Sequence, residues 1–278
     1  MDNKPKIISF HPQNSIQLKC EIDLQKIFLT ERERRRFETN WPGFLASDPC
    51  NRKTYHRKGD KLLYTSEQLI PAEKDKRPPL LLVLGNPASI SIAGGMFFAF
   101  DANGREPRFW KDILKAAGIL ALLTDYTLPV LKLNEQRRDQ LLHLNYKSRF
   151  RIGLCVFISM PSTASGPWSG VAGIQKLIGV QALRRLEVEE RKRILACAKK
   201  FMASGGTVVA FQKNAWNGLK SDKDPLYSLD SANKNKLKGA MRDMSQVPLY
   251  GVPPTRLAGP AKKVLEKFLI RKRSQHPL

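Results

Sequence analysis

The pattern of apolar and polar positions predicts strands that alternate with helices along most of the chain. Residues 80–84, 152–160 and 207–211 are short, uninterrupted apolar runs. Such runs are typical of strands that are covered on both faces in a parallel sheet. Residues 247–250 predict a fourth strand, which ends in a segment rich in proline and glycine.

Segments with helical spacing of apolar residues lie between and after these strands. Residues 109–120 place their large apolar side chains on one face, and Gly118 occupies the position of a C-terminal stop. Residues 187–203 are amphipathic, and residues 260–270 begin at a proline that suits a first helical turn. The alternation predicts a single α/β domain, a three-layer α/β/α sandwich with a central, mainly parallel four-stranded sheet.

The first part of the chain has a weaker pattern. Residues 7–10 predict a short strand, residues 24–40 predict a helix, and the polar residues 51–61 predict an exposed loop. The basic face of the predicted helix fits either a solvated surface or a phosphate contact. The predicted organisation is a basic N-terminal segment (1–75) that packs on or flanks the core, an α/β domain (76–270) and a basic tail (271–278).

Charge adds a prediction about the partner. The chain carries 48 Lys and Arg residues against 25 Asp and Glu residues, a formal net charge of +23 that is spread along its length. Such a charge destabilises a compact protein by self-repulsion, and a phosphate backbone would neutralise part of it. A nucleic acid is therefore the predicted partner, with basicity unrelated to nucleic acid as the alternative.

The composition argues against metal and membrane chemistry. The four cysteines lie far apart, without the spacing of a zinc site, and are predicted to be free thiols in a reducing cytoplasm. An iron–sulfur cluster held by all four stays open as an alternative. No apolar run is long enough for a membrane span, and no signal peptide is recognisable. We predict no metal, no cofactor, no membrane partner and a cytoplasmic location.

Candidate chemistry lies in the loops that follow the predicted strands. Gly85, Asn86 and Pro87 end the first strand at its carboxyl end, where open α/β sheets place their ligands. The loop that follows is rich in glycine and phenylalanine, which suits contact with a flat ligand. The chain has no GxxxxGK or GxGxxG motif, and its four histidines lie away from these loops. Nucleotide-triphosphate, dinucleotide and Ser-His-Asp chemistry are therefore disfavoured.

Four sequence segments together carry a resemblance to a known family. They are GNPAS at the end of the first strand, RFWKDILKAAGI in the next helix, TVVAFQKNAW and PPTRLAG, with Phe98 twelve positions after Asn86. In order and spacing they resemble the uracil-DNA glycosylase superfamily, most closely its branch of mismatch-specific uracil and thymine glycosylases. The resemblance covers residues 80–270 and leaves the first 75 residues unaccounted for.

The resemblance implies a monofunctional DNA glycosylase that flips uracil out of DNA and excises it hydrolytically in base excision repair, acting as a monomer. Asn86 matches the asparagine that positions the hydrolytic water, with Gly85 and Pro87 beside it in the base-binding loop. Phe98 matches the aromatic residue that stacks on the extruded base. A neutral amide suits this role because it can hold a water without demanding a proton. Turn capping for Asn86 and core packing for Phe98 are the alternative interpretations.

Residues 253–258 match the second motif of the family, a loop that enters the minor groove. By this resemblance Thr255, Arg256 and Leu257 contact DNA, and Arg256 and Leu257 form the wedge that fills the gap left by the flipped base. Filling that gap offsets part of the lost stacking and pairing. Lys262 and Lys263 begin the last helix and are predicted phosphate contacts. A proline-stiffened loop that leads into a helix is the alternative.

The sequence departs from the family pattern in three respects. Pro253 replaces a frequent histidine, and Ala88 replaces a glycine. Ser159 and Ser162 stand where some members have an asparagine that reads the uracil edge, so one of these serines is the predicted base-edge contact. Base specificity therefore stays open. A catalytically inactive nucleic-acid-binding protein with the same fold, and an enzyme on free nucleosides or nucleotides, are the rival functions.

Overall fold

The computed structural model describes residues 6–13, 16–202 and 205–275, the last five of these by backbone alone. The α/β class is confirmed. The prediction of a four-stranded, mainly parallel sheet is wrong, because nine strands of mixed orientation form the sheet in the described part of the chain. The additional strands come chiefly from the N-terminal segment, where four strands precede residue 70.

Strands and helices alternate along much of the chain. The strands are β1 Ile8–Pro12, β2 Gln17–Asp23, β3 Tyr55–Lys58, β4 Lys61–Leu69, β5 Pro79–Leu84, β6 Arg151–Val156, β7 Thr207–Phe211, β8 Lys238–Met241 and β9 Met244–Val252. The α-helices are α1 Leu24–Ile27, α2 Glu31–Ala46, α3 Pro49–Thr54, α4 Ser89–Ala93, α5 Val130–Leu142, α6 Gly170–Ile178, α7 Val180–Phe201, α8 Lys213–Leu219, α9 Leu229–Asn233 and α10 Ala258–Gln275. A π-helix spans Phe109–Lys115.

The chain divides into two compact units, each built from separate stretches of sequence. Unit 1 contains the described residues of Met1–Gln68, Gly85–Phe97 and Val156–Ala196. Unit 2 contains those of Leu69–Leu84, Phe98–Cys155 and Cys197–Leu278. The N-terminal segment therefore shares a unit with the loop that carries Asn86.

The strands of unit 1 are antiparallel. β2 pairs with β1 and with β4, and β4 also pairs with β3. Alternate side chains of β2 and β4 are buried, as expected for strands with one covered face. The prediction of an exposed loop at residues 51–61 is wrong, because this stretch forms the end of α3, all of β3 and a turn at Gly59 and Asp60 before β4. Its short polar strand has mostly exposed side chains, which is why the sequence resembles a loop.

In unit 2, β5, β6 and β7 match the predicted buried apolar runs, and β9 includes the fourth predicted strand. Their order is β6-β5-β7-β9-β8, with β5, β7 and β9 parallel and β8 antiparallel to β9. Every residue of β5, β6 and β7 is buried, which confirms the prediction of strands covered on both faces. Gly118 has a φ of 71°, consistent with its predicted role in ending the helical segment. Within the described residues, no helix combines the length and apolar character that crossing a membrane requires.

Candidate functional site

Two loops of unit 1 are held side by side by backbone hydrogen bonds. The first follows β5 and contains Asn86, and the second follows β6 and contains Ser162. Ser162 N–H donates to the carbonyl of Pro87 at 3.0 Å, and Ser89 N–H donates to the carbonyl of Ser162 at 2.8 Å. Ile158 N–H donates to the carbonyl of Gly85 at 2.8 Å. The loops therefore continue a sheet-like pairing beyond the ends of their strands, which fixes the backbone around Asn86.

The side-chain amide of Asn86 is fixed by its nitrogen. Nδ2 donates to Oγ of Ser162 at 2.9 Å and to the carbonyl of Met160 at 3.2 Å, with a longer contact of 3.3 Å to the carbonyl of Pro87. Oδ1 accepts no hydrogen bond from any residue that the structure describes. Asn86 is half-buried. The arrangement therefore presents one oriented oxygen acceptor that can hold a water molecule or a ligand donor.

The hydroxyl of Ser162 accepts a hydrogen bond from Asn86, and all its hydrogen-bond positions are occupied. Its Oγ accepts from Asn86 Nδ2 and from the N–H of Gly170 at 2.8 Å, and donates to the carbonyl of Thr163 at 3.3 Å. A hydroxyl group has one donor and two acceptor positions, and all three are occupied. Ser162 is 1% exposed. In this conformation the side chain orients the amide of Asn86, and its hydroxyl has no position left for the edge of a base.

Ser159 lies in a buried polar network of unit 1. Its hydroxyl shares a hydrogen bond of 2.7 Å with the hydroxyl of Tyr64, and its N–H donates to Glu190 Oε1 at 2.6 Å. Glu190 also forms a buried ion pair of 2.8 Å with Arg193. Burial raises the pKa of Glu190, and the charge of Arg193 opposes that rise. Ser159 is fully buried, so the structure assigns it to this network and gives it no hydrogen bond to Asn86.

The loop of Asn86 has a second anchor that comes from the N-terminal segment. Ser89, three residues after Asn86, donates through Oγ to Oδ1 of Asn51 in α3 at 2.5 Å. Asn51 Nδ2 donates in turn to the carbonyl of Phe44 at 2.8 Å. Ser89 and Asn51 are fully buried. Sequence reasoning missed this contact because an asparagine within a polar stretch gives no signal of a partner far along the chain.

Phe98 lies in unit 2 and packs on other aromatic residues. Its ring stacks on Phe109 with centroids 4.2 Å apart and planes inclined by 20°. The indole nitrogen of Trp110 donates to the carbonyl of Phe98 at 3.0 Å. Phe98 has a φ of 45°, which bulky residues adopt only when their surroundings impose it. The ring is therefore held in one place, half-buried, with Phe109 against one face.

The second motif follows β9 in unit 2. Leu257 N–H donates to the carbonyl of Pro254 at 2.8 Å, which closes a turn just before α10. Arg256 is exposed, while Thr255 and Leu257 are half-buried. Arg256 lies close enough to Tyr227 for its charge to lower the pKa of that phenol, which burial raises to about 12. The turn thus presents a cation at its tip.

The two lysines at the start of α10 differ in their surroundings. Lys262 is half-buried and forms an ion pair of 3.5 Å with Glu266. Lys263 is exposed and pairs with no carboxylate among the described residues. Lys263 is therefore the better placed of the two for contact with a phosphate.

No disulfide bond joins the four cysteines, and two of them lie close together. Cys155 and Cys197 have sulfur atoms 3.5 Å apart in unit 2, whereas Cys20 and Cys50 belong to unit 1. The structure describes no group of three or more His, Cys, Asp or Glu side chains placed to hold a metal ion.

No protein-family model matches the chain, and no curated protein sequence matches it at a significant level. Functional inference therefore depends on the geometry around Asn86, on the charge of the chain and on the motifs of the sequence.

Proposed function

We propose that the protein is a monofunctional DNA glycosylase that extrudes uracil from DNA and hydrolyses its N-glycosidic bond. The observation that carries the proposal is the fixed amide of Asn86, whose nitrogen is committed to Ser162 and Met160 while Oδ1 is open. A water bound at that oxygen would be held in one orientation. The C1′–N1 bond breaks to give an oxocarbenium-like sugar and the uracil anion. The positioned water adds to C1′ and its proton passes to the departing uracil, so the step needs no charged general base in this loop.

The base would be held by stacking and by loop backbone. Phe98 has the fixed, half-buried ring that stacking on an extruded uracil requires. Gly85 and Pro87 flank Asn86 and would line the base-binding loop. Because Ser159 is fully buried and the hydroxyl of Ser162 has all three hydrogen-bond positions occupied, we assign the uracil edge to backbone groups of these loops. Ser162 becomes a positioning residue that acts through Asn86.

DNA contact is assigned to the second motif and to the start of α10. Arg256 and Leu257 would enter the gap left by the flipped base, with Thr255 beside them and Lys262 and Lys263 near the phosphates. The net charge of +23 supports a polyanionic partner. We further propose that the protein acts as a monomer in the cytoplasm, in base excision repair, and that it uses no metal or cofactor. We also propose that helices cover both faces of the sheet.

The test is release of uracil from end-labelled oligonucleotides. Single strands and duplexes with uracil opposite G or A are incubated with the protein and then treated with alkali, which cuts abasic sites. Wild type is expected to generate cut product, and Asn86→Ala is expected to lose about a hundredfold or more in rate while still binding DNA. Absence of cut product from every uracil substrate would overturn the proposal.

A catalytically inactive DNA-binding protein is the second candidate, and two observations favour it. Pro253 removes the histidine that stabilises the leaving base in many family members. The contacts of Asn86 also brace two loops, which would preserve the residue without catalysis. This candidate predicts salt-sensitive DNA binding by wild type, no abasic product, and no change in binding for Asn86→Gln.

A further inference from the structure

The helix α3 lies directly against the loop of Asn86. Its residue Asn51 accepts the hydrogen bond from Ser89, and α3 and α4 pack on each other. Asn51 is also tied to the carbonyl of Phe44 in α2. The position of α3 beside the candidate active loop is therefore set by buried polar contacts on two sides.

Two exposed cations follow Asn51 in this helix. Arg52 and Lys53 form the last turn of α3, and neither makes an ion pair with a carboxylate in the described ranges. The nearest acid on the helix, Asp48, is occupied at the N-terminus, where its carboxylate accepts from the N–H of Cys50 at 2.8 Å. Arg52 and Lys53 therefore keep their charge available to an anion in solvent.

We propose that Arg52 and Lys53 bind backbone phosphates of the DNA strand whose uracil is held at Asn86. The inference rests on the proposed function, and it assigns a DNA contact to the N-terminal segment, for which the family resemblance gives no role. Consecutive Cα atoms are about 3.8 Å apart, so both residues begin within two chain steps of a side chain that touches the Asn86 loop. Both side chains are long and exposed, so we assign them to phosphates next to the extruded nucleotide.

A solvated helix end is the competing explanation. Cations in the last turn of any helix interact favourably with the helix dipole, so the presence of Arg52 and Lys53 alone does not require a ligand. In a six-residue helix that contribution is small, and it does not depend on DNA. The two explanations differ in one measurable quantity, the number of counterions released when DNA binds.

The experiment measures DNA affinity against salt concentration. The probe is a labelled duplex with 2′-fluoro-2′-deoxyuridine opposite G, whose glycosidic bond resists hydrolysis, and binding is followed by fluorescence anisotropy. Arg52→Ala/Lys53→Ala is expected to weaken binding about tenfold at low salt. Its plot of log affinity against log salt should be less steep by about 1.8, because each lost phosphate contact on duplex DNA removes about 0.9.

Two matched variants control for charge and for folding. Arg52→Lys/Lys53→Arg keeps both charges and should bind within about twofold of wild type with an unchanged slope. Lys199→Ala/Lys200→Ala removes two adjacent exposed cations from the last turn of α7 and should leave the slope unchanged. If Lys199→Ala/Lys200→Ala reduced the slope as much as Arg52→Ala/Lys53→Ala does, the affinity would depend on total charge and not on α3. That result would overturn the inference.

Neutral methylphosphonate linkages on either side of the uracil test the position of the contact. They should weaken wild type, and they should cause little further loss in Arg52→Ala/Lys53→Ala. Additive losses would place the contact elsewhere and overturn the inference.

Uracil release by the same proteins separates the two proposals. If the protein releases uracil but the double variant has the same salt-dependence slope as wild type, the glycosylase proposal stands and the α3 contact is rejected. If the slope decreases in the double variant but wild type releases no uracil, the α3 contact stands and the glycosylase proposal is rejected. Absence of DNA binding by wild type rejects both.

Discussion

The hydroxyl oxygen of Ser162 lies 2.9 Å from the amide nitrogen of Asn86 and accepts its hydrogen bond. This contact joins the loops that follow β5 and β6, and it determines which end of the amide is left for solvent. The same hydroxyl accepts from the N–H of Gly170, so the orientation of Asn86 is coupled to the start of α6. The orientation of the Asn86 amide therefore depends on Ser162, whose own hydroxyl is fully hydrogen-bonded.

Ser162→Ala is expected to lower the rate of uracil excision by about tenfold to a hundredfold, because the amide of Asn86 can then rotate away from its productive orientation. Single-turnover rates with saturating enzyme isolate this step from DNA binding, which should change little. Ser162→Thr keeps the hydroxyl and should recover part of the rate. A wild-type rate in Ser162→Ala would show that backbone pairing alone orients the loop.

Phe98→Ala should weaken binding of the extruded base, because base–aromatic stacking contributes about 1–3 kcal/mol per base. The expected loss in kcat/KM is about fivefold to a hundred-and-fiftyfold at 25 °C. Phe98→Tyr retains the ring and serves as the matched control. Thermal unfolding accompanies the kinetics, since Phe98 also packs on Phe109. Equal kcat/KM in the alanine and tyrosine variants would assign Phe98 to core packing alone.

Leu257→Ala should affect duplex substrates more than single strands. A wedge compensates for stacking and pairing that only a duplex loses when a base is flipped. We expect excision from a U·G duplex to fall about tenfold and excision from a single strand to stay within about twofold. The ratio of the two rates is the readout, because it cancels any general loss of active protein. An unchanged ratio would contradict the assignment of Leu257 to the wedge.

Glu67 should make the protein less stable as pH rises. Burial raises the pKa of this carboxyl from 4.5 to about 8, and its Oε1 has no hydrogen-bond partner. The folded state therefore keeps the proton to a higher pH than the unfolded chain does. The free energy of unfolding should fall as pH increases between these values, by at most about 5 kcal/mol from this group.

Thermal unfolding at pH 5 and pH 8 checks this prediction about Glu67. Glu67→Gln cannot ionise, so it should lose much of the pH dependence and unfold several degrees higher than wild type at pH 8. Parallel pH profiles for the two proteins would mean that water or a structural change compensates the buried charge.

The buried strands of unit 2 were predictable from the sequence. Of the described strands of unit 1, β1 overlaps the strand predicted at residues 7–10, whereas β2, β3 and β4 were not predicted. The fully buried strands β5 and β7 are uninterrupted apolar runs, a pattern that few other environments produce. The run predicted as a strand at residues 152–160 outlasts β6, which ends at Val156. Its last residues stay buried because Ile158 pairs with Gly85 beyond the strand. β3 was missed because it is short and mostly polar, and β4 because its nine residues mix apolar and polar side chains without strict alternation.

The sequence predicted where the candidate site lies along the chain, but not which side chains contact each other there. The break after β5 correctly located Asn86 in a loop at the end of a buried strand. Nothing in the spacing of Ser159 and Ser162 indicates that one bonds to Tyr64 and the other to Asn86. Side-chain partners of this kind depend on which way each residue faces after folding, and a turn without regular periodicity does not specify that.

The two anchors of the Asn86 loop also bear on how the protein folds. Asn51 lies 38 residues before Ser89, and Ser162 lies 76 residues after Asn86. Contacts between distant parts of a chain form only after the entropy of closing long loops has been overcome, whereas helices form locally and early. A refolding chain should therefore regain its helical signal well before it regains a correctly oriented Asn86, and the uracil release that we propose should be among the last properties to return.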